Sequence, residues 1–294
     1  ASLEANNLMA KTSFSEELLR VAHDPNTDLA EAALVLAKFE YPNLEIAPYL
    51  MQLDVMGKKV MEKLALSDSP STPASRIKTL NEFLFTDQKF RGNATAYDDP
   101  RNSFLNDVMD RRIGIPITLA VIYMEVARRT GIKIEGINFP GRFLMRYKHG
   151  SEEFILDPFK RGTILSESDC GELLHRHTTG TVHLDQSLLT PATRPQILIR
   201  MLTNLKRVYL YLRSFPQARW ATDLLLTLDP SGLVELRDRG LLAYHLNDFA
   251  SALSDLETYL QLTARGKLND EDRQEYDQLW DHVKTLRRRV ASFN

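Results

Sequence analysis

The chain has one cysteine, two tryptophans and no apolar run approaching the roughly 18 residues of a membrane-spanning helix. Cys170, alone, cannot close an internal disulfide, so the sequence fits a reducing compartment and the cytoplasm is the expected location. Neither sign of charge is in excess. Thirty-seven Lys and Arg against 39 Asp and Glu leave a formal net charge of -2, which gives no global field for nucleic acid or for an anionic membrane. Neither a helix-turn-helix nor a base-stacking motif is recognisable, so a nucleic-acid-binding regulator is the third choice among functions. The opening residues ASLEANNLMAKTS contain no signal-peptide core. What remains is globular composition, 43% hydrophobic and 26% charged over 294 residues, enough for one large domain or two ordinary ones.

From Phe14 to about Leu84 apolar residues recur at helical spacing, as in Leu29, Ala32, Ala33 and Leu36 and again from Leu50 to Leu64. Asp28 and Glu31 stand at capping-box spacing, and Ser67 to Pro73 reads as a loop before a helix from Ser75 to Phe85. The stretch KFRGNATAYDDP, Lys89 to Pro100, is too rich in turn formers to continue a regular helix. Asn102 or Ser103 is placed to cap a short helix through Met109, whose end carries Arg111 and Arg112 where the helix dipole favours cations. A strongly apolar helix then runs from Ile117 to about Arg129, closed by Gly131.

Lys133 to Phe139, Phe143 to Tyr147 and Glu153 to Leu156 read as strands. A two-residue turn at His149 and Gly150 makes opposed residue numbers sum to 299, which sets Met145 against Phe154, Arg146 against Glu153 and Arg142 against Asp157. Beyond Pro195 helices return, and an offset of 34 residues superposes Val208 on Leu242, Phe215 on Phe249, Ala218 on Ala252, Asp223 on Glu257 and Leu226 on Leu260. That pattern resembles the tetratricopeptide repeat, with Pro230 ending the first unit. A further helix, Glu271 to Val290, is expected to pack on the array, its Lys284 and Arg287 to Arg289 forming a solvated basic face.

Gly114-Ile115-Pro116 enters the apolar helix, Gly141-Arg142-Phe143 opens a strand, and Ile155-Leu156-Asp157-Pro158 ends its partner. This frame is similar to the papain and transglutaminase arrangement, in which those points carry a thiolate nucleophile, a histidine base and an orienting carboxylate. The segments Phe90 to Arg146 and Ile155 to Phe159 more specifically resemble the SirB-like family, a transglutaminase-like core followed by tetratricopeptide repeats. The resemblance implies a mostly helical α+β fold: a papain/transglutaminase-like core with a small antiparallel sheet, then an antiparallel α-helical repeat array. The expected domains are an N-terminal helical part of the core over 1–88, the α/β core over 89–194 and the repeats over 195–294.

Carried over residue by residue, the superfamily's triad falls on Pro116, Arg142 and Asp157. Proline offers no nucleophile, and arginine cannot accept a proton near neutral pH. The expected function is therefore a non-catalytic interaction or regulatory protein with a protein or peptide partner and no cofactor. A hydrolase or acyltransferase acting on amide bonds with rearranged chemistry is the alternative. Cys170, in the capped helix start SESDCGELLHRH, has no base at contact spacing, since His175 and His177 lie five and seven residues on. Those histidines and His183 lack an acidic or thiol partner at ligand spacing, so no metal is expected. Candidate binding residues are Asp98, Asp99, Arg101, Asn102 and Ser103 in the loop before the apolar helix, with Tyr209 and Tyr211 in the repeats.

Overall fold

The computed structural model describes residues 2–66, 71–178, 183–263 and 268–292, so Ser67 to Pro70 of the loop expected at Ser67 to Pro73 lie outside the described residues. The chain divides into two compact units, residues 1–201 and residues 202–294.

Unit 1 opens with α1 (Ser2–His23), α2 (Leu29–Ala37), α3 (Ala47–Ala65) and α4 (Pro73–Asn81). Asp28 caps α2 as its spacing suggests, its Oδ1 accepting from the Glu31 amide at 2.7 Å. The helix expected through Phe85 widens after Asn81 into a π-turn, Glu82–Asp87, in which Phe83, Leu84 and Phe85 are all buried. Three consecutive apolar residues spread too far around an α-helix to share one face, and the wider turn brings them together.

Next come α5 (Leu105–Arg111) and α6 (Pro116–Arg129). The cap of α5 corrects the sequence reading. Phe104 occupies that position without a side-chain bond, because Asn102 and Ser103 are used in the short 3-10 turn Pro100–Asn102 and its exit. Every residue of α6 from Pro116 to Ala127 is buried, as befits a helix apolar all round, and it packs against α2 and α3 as well as the sheet. The one carboxylate in that run, Glu125, receives Arg128 at 2.9 Å and Arg129 at 2.7 Å, so its burial is offset by two cations.

A four-stranded antiparallel sheet follows in the order β3 (Ile134–Ile137), β4 (Leu144–His149), β5 (Glu152–Asp157) and β6 (Thr163–Leu165). Its central register differs from the expected one. Met145 faces Leu156 and His149 faces Glu152, so opposed numbers sum to 301 and the turn is Gly150-Ser151. Tight hairpin turns need a positive φ at their first central position, and Gly150, at φ +60°, supplies it where His149 would be strained. A slip of two residues leaves each side chain on its original face. Arg146 accordingly still lies within 3.7 Å of Glu153, now diagonally, while bonding Glu135 at 2.9 Å. Two more strands, β1 (Arg91–Gly92) and β2 (Ile113–Gly114), pair in parallel and tie the loop before α5 to the segment entering α6. The unit also holds α7 (Glu167–His177), capped by Ser166 and Asp169.

Unit 2 contains most of α8 (Arg194–Tyr211), then α9 (Phe215–Leu228), α10 (Leu233–His245), α11 (Phe249–Leu262) and α12 (Asp270–Ala291). The repeat is visible in the elements themselves: α9 and α11 are each 14 residues long and begin on the two matched phenylalanines. Ala218 and Ala252 are fully buried. At Gly240 of α10 an added Cβ would stand 2.8 Å from Leu256 of α11, so this crossing is close enough to require glycine. Arg239 bonds Asp255 at 2.7 Å and reaches Asp223 at 3.5 Å, linking three successive helices through one guanidinium. From α12, Tyr276, Val283 and Leu286 join Leu256 and Leu260 in one apolar cluster. The basic end of α12 is partly bound into the array, with Arg287 on Glu257 and Arg289 lying 4.1 Å above the Phe249 ring.

Candidate functional site

The site is organised by the start of α6. Pro116 is buried at the first turn, where its missing N–H costs nothing because no carbonyl awaits it. Thr118, also buried, closes the turn: its hydroxyl accepts from the Ile115 amide at 3.1 Å and donates to the Asn102 carbonyl at 2.8 Å. Just upstream, Gly114 pairs with Gly92, and the Asn93 amide donates to the Gly114 carbonyl at 2.9 Å. A helix beginning after a glycine strip is the setting in which a thiol nucleophile would be activated. Here a proline ring opens the helix.

Arg142 and Asp157 do meet. The guanidinium donates from Nη1 to Asp157 Oδ2 at 2.8 Å, with Asp157 fully buried and the Arg142 side chain 20% exposed. The second carboxylate oxygen accepts from the Phe159 and Lys160 amides at 2.9 and 3.4 Å, capping the 3-10 turn Pro158–Lys160. Both oxygens of Asp157 are thus occupied by fixed donors. Phe159 completes the arrangement, a residue that sequence reasoning passed over. Its ring lies 5.3 Å from the Arg142 guanidinium carbon and edge-on to Tyr97 at 5.9 Å. It also sits so close over Gly92 that an added Cβ there would come within 2.4 Å of the ring. The local signal for Phe159 was only its place after Asp157-Pro158; two of its partners, Gly92 and Tyr97, lie far upstream in sequence.

The polar loop before α6 is self-engaged. Asp99 accepts from Arg101 through Nε and Nη2 at 3.1 and 2.8 Å and stands 3.5 Å from Arg111. Asn102 is fully buried, donating to the Ala96 and Tyr97 carbonyls at 2.7 and 3.2 Å and accepting from Asn93 at 3.1 Å. Ser103 is buried beside it, whereas Asp98 is half-buried and Arg101 exposed. In the repeats Tyr209 is buried and Tyr211 is 72% exposed, so only the second presents a ring to a partner.

Cys170 packs with Ile137, Phe139, Leu144 and Leu174 in the cluster beneath α7. Burial pushes its thiol above the ordinary value, and the Asp169 and Glu167 carboxylates add to that. His177 lies against Gly141 instead of Cys170. Among the described residues no group of three His, Cys, Asp or Glu side chains is gathered for a metal. A raised thiol pKa leaves less thiolate at any given pH. Iodoacetamide labelling of the folded chain should therefore be slower than that of a free thiol at pH 7 and still rising at pH 9. Rapid labelling at pH 5 would reveal a stabilised thiolate.

Comparison with known proteins agrees with this geometry. Residues 47–203 match the transglutaminase-like superfamily, and residues 205–279 match the tetratricopeptide repeat. A UPF0162 protein of Xylella fastidiosa is 38% identical over 248 residues, covering 83% of this chain and 87% of its own length. One from Vibrio cholerae is 30% identical over 235 residues, covering 80% and 86% respectively. F-box only protein 21 of Pongo abelii is 29% identical over 203 residues, which is 65% of this chain but 32% of that protein. No helix among the described residues is long and apolar enough to cross a membrane. With the helix-led core, the antiparallel sheet and the 34-residue helix pairs all in place, the chain belongs to the transglutaminase-like superfamily, in the SirB-like family of UPF0162 proteins that join such a core to tetratricopeptide repeats.

Proposed function

We propose that this protein is a non-catalytic interaction or regulatory protein of the cytoplasm, in which the transglutaminase-like core serves as a binding scaffold and the repeats as a second partner surface. The observation that carries this reading is the Arg142–Asp157 ion pair. Carried over from the superfamily's pattern, the pair falls at the base and carboxylate positions and Pro116 at the nucleophile's, and the 2.8 Å contact of Arg142 with Asp157 supports that reading. A guanidinium held on a buried carboxylate neither accepts nor relays a proton near neutral pH. The chain's single thiol is buried in an apolar cluster, which speaks against a hydrolase or acyltransferase built around it. Tetratricopeptide repeats generally mediate protein–protein contacts, which supports a protein or peptide partner. The exposed ring of Tyr211 and the exposed Arg101 of the loop before α5 are the surfaces we assign to partners; the balanced charge speaks against nucleic acid.

The test is a panel of amide and ester substrates followed by mass spectrometry, using the full chain and its Arg142→His variant. Arg142→His places the histidine of the papain and transglutaminase pattern at that point, and no turnover is expected from either protein because Pro116 still supplies no nucleophile. Reproducible turnover by the wild type, abolished in Asp157→Ala but not in a surface control, would overturn the proposal.

A further inference from the structure

Outside the Arg142–Asp157 site, Arg112 carries a guanidinium for which no salt bridge is formed among the described residues. Arg112 ends α5 with left-handed backbone, φ +59°, a conformation that favours glycine or asparagine over a long side chain. Its guanidinium carbon lies 4.6 Å above the Phe90 ring, and its Nη1 is buried without a hydrogen-bond partner. The adjacent Arg111 also has a buried, unbonded Nη1, but its Nη2 stands 3.5 Å from Asp99. Burial lowers the Arg112 pKa, opposed by the charge of Asp110, whose carboxylate already accepts from the Tyr49 hydroxyl at 2.8 Å.

Arg112 lines a groove of about 420 Å³ along α3, together with Met51, Val55, Met56, Lys59 and Gln88. Met51 and Val55, one helical turn apart, are 66% and 53% exposed. The groove wall therefore combines two large exposed apolar side chains with two cations, and no Asp or Glu lines it. The α3 residues of the wall run from Pro48 to Lys59, about 17 Å of helix at 1.5 Å per residue. That length exceeds a small carboxylate and matches the three turns over which a docked helix presents anchors at successive i, i+4 and i+7 positions. Methionine, unbranched and polarisable, suits such a surface because it adapts to the side chain laid on it.

We infer that this groove docks an amphipathic helix of a partner protein, one that carries an acidic side chain a turn away from a large apolar one. The carboxylate meets Arg112 and Lys59, the two cations of the wall, and the apolar side chain covers Met51 and Val55. The inference concerns a surface apart from the Arg142–Asp157 site and stands whether or not that site is silent.

The experiment is a selection from a displayed library of randomised 16-residue helix-forming peptides against the full chain, with the Arg112→Gly variant used for counter-selection. Glycine suits the left-handed backbone, so this variant should remain folded, as circular dichroism would verify, while losing the guanidinium. Enriched peptides should carry Asp or Glu one turn from Leu, Phe or Met and bind the wild type about tenfold more tightly than Arg112→Gly. Met51→Glu, on an exposed position, should weaken the same peptides by a similar factor, and octanoate should not displace them. Failure to enrich any discriminating peptide, enriched peptides without an acidic residue, or equal binding to wild type and both variants would overturn the inference. Displacement by octanoate at concentrations comparable to the peptide would also overturn it, by showing a small-carboxylate pocket.

Discussion

Replacing Arg142 with alanine should destabilise the core by roughly 3 kcal/mol, the lower end of what breaking a buried ion pair costs. Asp157 is fully buried, so the substitution leaves a carboxylate oxygen facing the gap, while the Phe159 and Lys160 amides still hold the other. The low end is expected because the Arg142 side chain is 20% exposed and water can enter where it stood. Asp157→Ala acts differently: Arg142 can turn towards solvent, but the 3-10 turn loses its cap and Phe159 its anchor. Denaturant unfolding of the two single variants and the double variant closes the cycle, with a coupling of about 1–3 kcal/mol expected for groups in direct contact. Coupling within error of zero would mean that the two side chains do not stabilise one another.

A second large effect is expected in the repeats, where Ala252→Trp should cost about 1–3 kcal/mol by overpacking. Ala252 is fully buried with Leu256, Leu260 and Val283, and α10 already approaches α11 closely enough to need Gly240. An indole has no room there unless the helices move apart, and moving them would strain the Arg239–Asp255 bond at the same crossing. Gln261→Ala, on an exposed position of α11, should stay within about 0.5 kcal/mol of the wild type. The comparison is between their denaturation midpoints. Equal midpoints would show that Ala252 is not at a close helix contact.

Helices with a strong period were legible in the sequence, and so was the repeat, because both are written in spacings that survive without knowledge of distant partners. The hairpin shows where such reading stops. Alternation records only which face a residue occupies, and registers summing to 299 or 301 give the same faces. Choosing between them required the backbone preference of Gly150. The π-turn was hinted at by three adjacent apolar residues, Phe83 to Phe85, but helical periodicity has no place for them. In the site, Arg142 and Asp157 were found through their positions beside Gly141 and Pro158. Phe159 and Gly92 were not, since a ring packed on a glycine leaves no trace in the sequence around either. The short parallel pairing of Arg91 and Gly92 with Ile113 and Gly114 was missed for the same reason.

The equal lengths of α9 and α11, set 34 residues apart, bear on how this protein can change over evolutionary time. Within unit 2, α9 packs with α10, α10 with α11 and α11 with α12, so from α9 onward each helix meets the next in sequence. A duplicated 34-residue cassette joined at the turn after Leu228 would therefore find the same kind of face on both sides that the present helices find. The array can lengthen by whole helix pairs without a new kind of contact. The core around α6 lacks that freedom, because that one helix touches α2, α3 and the sheet together. Gain and loss of binding surface through duplication of whole helix pairs are thus open to the repeat half of the chain.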